Sequence, residues 1–143
     1  MKKSIVIVNL GLAILAAGTL VYAAVDNAPR ATMMSAGDYN AAVKEIDDEG
    51  RVSSIVCKRL TGYEKAVCSA EQAAEKKVRM ADLEARYLGT YQSRHSARIT
   101  RVDAQFDVDR VRCEAFTGEE RAHCVLIATE TRNVLIAESG SRA

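Results

Sequence analysis

The chain has 143 residues, with 20 Lys and Arg against 19 Asp and Glu and a formal charge of +1. That balance excludes the basic excess of a nucleic-acid-binding protein, and the length allows one ordinary domain. Aromatic residues make up 5%, there is no Trp, and the single Pro is Pro29, so long helices with a thin, Ala-rich core are expected after it.

Met1-Lys2-Lys3 forms a short basic start. The run Ile5 to Ala24 is apolar apart from Asn9, Gly11, Gly18 and Thr19. It closes on Val21-Tyr22-Ala23-Ala24, where small residues suit signal peptidase. The pattern predicts a signal peptide over 1–23, cleavage after Ala23 and a periplasmic mature chain. The alternative is an uncleaved inner-membrane anchor, since about 20 apolar residues can span a bilayer. The mature chain keeps 18 Lys and Arg and all 19 acids, a formal charge of −1. Residues 24–37 are small, polar and aperiodic and read as a flexible tail.

From there the sequence repeats itself at an offset of 56 residues. Cys57 to Cys68 and Cys113 to Cys124 both read Cys-x-x-(Leu/Phe)-Thr-Gly-x-Glu-(Lys/Arg)-Ala-x-Cys. The match runs outward without gaps through Val43 and Ile99, Ile46 and Val102, Asp47 and Asp103, and Val78 and Val134. Two tandem helical hairpins are expected, over 38–88 and 89–139. In the first outgoing arm Tyr39, Val43, Ile46, Gly50, Ser53, Cys57 and Leu60 form one helical stripe. The same steps take His95 through Ile99, Val102, Phe106, Asp109 and Cys113 to Phe116. The first return arm carries Val67, Ala70, Ala74, Val78, Ala81, Ala85 and Leu88 on one face. The second has a looser set in Val125, Ala128, Val134, Leu135 and Ile136. No stretch alternates with period two, so no sheet is expected. Between the copies, Gly89-Thr90 either bends one continuous helix, giving three long helices, or separates two, giving a four-helix arrangement. Residues 139–143 read as a frayed end.

Four cysteines in an exported chain favour disulfides. Pairing Cys57 with Cys68 and Cys113 with Cys124 respects the repeat. Residues eleven apart on a straight helix lie about 16 Å apart, whereas a disulfide needs Cα atoms within about 7 Å. The chain must therefore reverse inside each interval, which places turns at Thr61-Gly62 and Thr117-Gly118. Each glycine is expected to end the preceding helix in the left-handed conformation. Thr61 with Glu64, and Thr117 with Glu120, also have capping-box spacing.

No motif for catalysis or a cofactor is present, so no enzyme and no bound cofactor are expected. The cysteine spacing is far from that of zinc sites or redox Cys-x-x-Cys pairs. His95 and His123 are the only histidines, too few to form a metal site by themselves. Arg94, His95, Arg98 and Arg101 form a basic patch that reads as a solvated helix face, with contact to an anionic lipid or cell-wall polymer as the alternative. Asp47-Asp48-Glu49 and Glu119-Glu120 read as exposed or helix-terminal carboxylates.

The leader, the paired Cys-x10-Cys segments and the arm ending Leu83-Glu84-Ala85-Arg86-Tyr87 resemble a group of small exported, Ala/Glu-rich helical proteins of beta-proteobacteria. Some of these are described as TolA-like cell-envelope proteins. The resemblance spans about residues 39 to 137 and implies an all-α fold and an exported location. No activity is established for that group, so the resemblance implies no active-site residue. The present chain has less Lys and Ala, and more Arg and acid, than that pattern. The expected function is a non-catalytic periplasmic binding or envelope-associated module, with an envelope protein or a second copy as partner. Membrane contact is expected only through an uncleaved leader. The alternative is a small-ligand or metal-binding envelope stress protein using the groove between arms or Met33, Met34, His95 and His123.

Overall fold

The computed structural model describes residues 34–141. The segment expected to be a signal peptide (1–23), and the expected tail as far as Met33, lie outside them. Four α-helices follow one another: α1 (Ala36–Cys57), α2 (Gly62–Leu88), α3 (Tyr91–Arg112) and α4 (Gly118–Ser141), with a 3-10 turn at Cys113–Ala115 before α4. No strand occurs among the described residues.

The helix starts have local causes. At α1, Ser35 is extended and its hydroxyl accepts from the Asp38 amide at 3.0 Å, so the helix begins inside the segment expected to be tail. At α3, the Thr90 hydroxyl accepts from the Ser93 amide at 3.0 Å. Each cap satisfies an amide that has no partner within its helix. Gly89 ends α2 in the left-handed region, with φ of 62°, and its amide donates to the Ala85 carbonyl. Of the two arrangements open at Gly89-Thr90, the chain therefore adopts the turn and the four-helix arrangement. The other end of the chain departs from expectation. Helix α4 continues through Ser141, and the Ser139 hydroxyl donates to the Leu135 carbonyl at 2.7 Å. Residues 139–141 belong to the helix and are not a frayed end.

Packing runs in order: α1 on α2, α2 on α3, α3 on α4. Ion pairs fix the antiparallel registers. Asp47–Lys76 at 2.8 Å and Glu49–Arg79 join α1 to α2. Glu71–Arg112 at 2.7 Å, Asp107–Lys77 at 3.4 Å and Asp82–Arg101 at 2.6 Å join α2 to α3. Asp103–Arg132 at 2.7 Å joins α3 to α4. Partly exposed pairs of this kind contribute about 0–1 kcal/mol each, so they specify alignment more than they stabilise. Asp47–Lys76 and Asp103–Arg132 are related by the same 56-residue offset seen in the sequence.

The core is thin. Ile46, Leu83, Ala85, Ala97, Ala104 and Val108 are buried together with Cys57 and Cys113. The first outgoing stripe faces inward throughout, from Tyr39 to Leu60. Tyr39 also packs against Tyr87, with ring centroids 4.5 Å apart, which holds the start of α1 on the end of α2. The last members of two stripes are exposed: Leu88 is the final residue of α2, and Phe116 lies just past the 3-10 turn. Val134 and Leu135, expected to face inward, are also exposed. Val125, Ala128 and Ile136 of the expected set do face inward, and Arg132 joins them. Arg132 occupies that face because Asp103 pairs with it and the Phe106 ring lies 5.5 Å below its guanidinium. No helix among the described residues is long and apolar enough to cross a membrane.

Candidate functional site

Both cysteine pairs are closed. Cys57–Cys68 and Cys113–Cys124 have Cα separations of 5.5 and 5.7 Å. The reversals fall between the cysteines, but the glycines play a different part from the one expected. Helix α1 stops at Cys57, well before Gly62. Lys58, Arg59 and Leu60 turn back on Ser54, Val56 and Cys57 through main-chain hydrogen bonds. Thr61 is extended, and Gly62, with φ of 55°, is the first residue of α2. Gly118, with φ of 56°, opens α4 in the same way after the 3-10 turn and Phe116. Each glycine launches the return arm and does not terminate the outgoing one, because the staple already forces the first helix to end at its cysteine. The capping box expected at Thr61 is absent: its side chain makes no cap hydrogen bond, and its main-chain carbonyl accepts from Lys65 instead. With Gly62 left-handed between them, the Thr61 hydroxyl is not set over the first turn. The Thr117 carbonyl likewise accepts from Arg121.

The histidines are in unlike surroundings. His95 lies half-buried on α3, stacked on Tyr91 with centroids 6.0 Å apart and with Nδ1 3.4 Å from Arg98 Nη2. His123 is exposed on α4 beside Cys124. Met34 sits just before α1, and Met33 lies outside the described residues. Among the described residues no three His, Cys, Asp or Glu side chains are grouped to hold a metal ion. The acidic run Asp47-Asp48-Glu49 is engaged by cations: Asp47 by Lys76, Asp48 by Lys44 and Arg51, Glu49 by Arg79.

An open cleft of about 780 Å³ lies where α1, α2 and α3 meet beside Gly89. Because consecutive helices are antiparallel, this is the end of the molecule opposite the two staples. Ile46 on α1, Ala85 on α2 and Ala97 on α3 are buried and form an apolar floor. The charged lining consists of Glu45 from α1, Arg79, Asp82 and Arg86 from α2, and Arg94 and Arg98 from α3. Arg79 is occupied by Glu49, and Asp82 by Arg101. The hydrogen bond to Glu49, helped by the negative charges of Glu49, Glu75 and Glu45 and opposed by desolvation, raises the Arg79 pKa above its ordinary value. Arg94 donates to the Gly89 carbonyl at 2.7 Å, which braces the α2–α3 turn. Arg98 Nε is buried and meets no acceptor.

Two residues of the basic patch, Arg94 and Arg98, thus face a shared cleft, and a third, Arg101, is neutralised by Asp82. The sequence reading missed Arg79, Asp82 and Arg86. Their signal was present: 79, 82, 86 and 89 step by 3, 4 and 3 along a second face of the return arm. An arm packed on both sides has two inward faces, here one apolar and one charged. The chain matches no protein-family model, no curated protein and no solved structure.

Proposed function

We propose that this chain is a non-catalytic, exported binding module of the cell envelope, with the three-helix cleft as its binding site. The observation that carries the reading is the chemistry of that cleft, an apolar floor under a rim of guanidinium groups. Guanidinium stays protonated at any working pH, so such a rim holds charge and does not shuttle protons. Two closed disulfides suit an oxidising compartment, and the leader pattern and the resemblance to TolA-like envelope proteins agree with export. The partner is an envelope component or a second copy of the chain. The small-ligand alternative uses the same cleft.

Cell fractionation with thiol alkylation and native mass spectrometry of the extracted protein tests this reading. The expected result is a periplasmic protein beginning at Ala24, without alkylatable thiols, and carrying a ligand or partner. A cytosolic protein beginning at Met1 with free thiols overturns it.

A further inference from the structure

We infer that the cleft between α1, α2 and α3 is an oxyanion site, taking a phosphate or carboxylate group that carries a short apolar body. The inference rests on reading the chain as a binding module and names the class of ligand. Arg86, Arg94 and Arg98 hold the anion, and Ile46, Ala85 and Ala97 face the apolar part.

The charge count is the first support. Once Arg79–Glu49 and Arg101–Asp82 are set aside, the lining keeps three guanidinium groups against one carboxylate, Glu45. The second support is Arg98. Arginines on a solvated helix face satisfy their donors with water, and the exposed Arg86 and Arg94 alone would fit that description. Arg98 does not fit it, because its Nε is closed off from solvent without an acceptor while Nη2 reaches only the His95 ring at 3.4 Å. That shielded Nε is closed to a ligand as well as to water, so an oxyanion meets Arg98 through the part of its side chain that lines the cleft, where the guanidinium fork matches its acceptors. The third support is position. Helix α3 begins at this end with no acidic side chain in its first turn, so the positive end of its dipole adds to the field. The floor beneath is apolar, which favours an anion with a hydrocarbon body over a bare ion. Arg98 also borders a separate, smaller groove lined by Glu138 and Ser139, so Glu138 serves as a control outside the cleft.

The test is a titration of the oxidised full chain, followed by calorimetry and by amide chemical shifts. The probes are octyl phosphate, octanoate, inorganic phosphate and the uncharged octyl glucoside. Saturable binding of octyl phosphate or octanoate is expected, with shifts at Ile46, Gly89, Ala97 and Arg98, weaker binding of inorganic phosphate and none of octyl glucoside. Arg98→Gln and Arg86→Gln should each weaken binding by about tenfold, as expected for one charge-assisted contact. Arg86 is exposed, so its variant tests the site without risk to the fold. Glu138→Gln should leave the affinity unchanged. Vesicles with and without phosphatidylglycerol separate the sources: competition between vesicles and octyl phosphate assigns the anion to a lipid headgroup, and its absence assigns it to a free molecule. Equal binding of octyl glucoside, or unchanged affinity in both Arg variants, overturns the inference. So does the absence of saturable binding. If native mass spectrometry then still finds an uncharged ligand, the oxyanion inference falls and the binding-module reading stands.

Discussion

The Tyr63 hydroxyl donates to the main-chain carbonyl of Arg112 at 3.0 Å, across 49 residues of sequence. Tyr63 stands at the start of α2, just past the first stapled turn, and Arg112 is the last residue of α3, just before the second. The two staples therefore share one end of the molecule and are joined there by a hydrogen bond. The Arg112 side chain strengthens the link through Glu71 at 2.7 Å. That hydrogen bond, aided by the charges of Glu71 and Asp109 and opposed by slight desolvation, raises the Arg112 pKa. The cleft lies at the opposite end, where the helices are held by Tyr39–Tyr87 and by the Gly89 turn. One end is thus held covalently and the other by ring packing and hydrogen bonds.

Tyr63→Phe removes that hydrogen bond while keeping the ring. Because Tyr63 is partly exposed, the loss should be near the lower end of the usual range, about 0.5 kcal/mol. Chemical denaturation measures it, and hydrogen exchange should quicken first around residues 60–64 and 112–118.

Cys57→Ser opens the first staple. In the chain-entropy model a bond across a separation of 11 residues stabilises by about 2–3 kcal/mol, which is large for a core this thin. The Cys113–Cys124 bond should remain formed. Non-reducing peptide mapping checks this, and a mixture of rearranged bonds in the variant would contradict independent hairpins.

Leu83→Ala should be the most damaging single change outside the cysteines. Leu83 has no exposed surface, and truncating such a side chain costs about 2–5 kcal/mol. Thermal denaturation followed by circular dichroism should show a clear fall in Tm, whereas Val52→Ala on the exposed face of α1 should leave it almost unchanged.

Leu83 also shows where the sequence was legible. Hairpins, staples and the outgoing stripe followed from period, spacing and the reach of a disulfide. The burial of Leu83, Ala97 and Ala104 did not, because these residues serve the contact between hairpins. The 56-residue repeat specifies what is the same in each copy. The α2–α3 contact and the cleft arise from pairing one copy with the other, so the repeat does not encode them, although the second stripe of the first return arm, 79, 82, 86 and 89, marks the face that takes part. The start of α4 was hidden for a different reason. Gly118 has the left-handed backbone a glycine suggests, but which helix it serves depends on where the staple stops the one before.

Acid should weaken the exposed face of α1. The hydrogen bond from Lys44 at 2.7 Å, aided by the charges of Lys44 and Arg51 and opposed by desolvation, lowers the Asp48 pKa below its ordinary value. A lowered folded-state pKa gives stability that is present above the unfolded value of about 3.9 and lost as pH falls through the folded one. The difference in Tm between wild type and Asp48→Asn should therefore be constant near neutrality and shrink below about pH 4.

Two glycine-to-alanine changes should act in opposite directions. Gly50 lies within α1 with ordinary helical backbone, and an added Cβ would meet the Lys76 stem at 3.4 Å, an ordinary contact with a flexible chain. Replacing a mid-helix glycine there should stabilise by about 0.5–1 kcal/mol. The position 56 residues on is Phe106, whose ring carries Arg132, so the second hairpin already accommodates a far larger side chain at the matching place. Gly89 has open space around it but φ of 62°, and a Cβ in that conformation costs about 1–2 kcal/mol. Gly89→Ala should therefore lower Tm even though nothing is crowded. It should also disturb the Arg94 brace and weaken octyl phosphate binding, whereas Gly50→Ala should raise Tm and leave binding intact. Measuring both variants for stability and binding separates backbone strain at the cleft from a general change in helix stability.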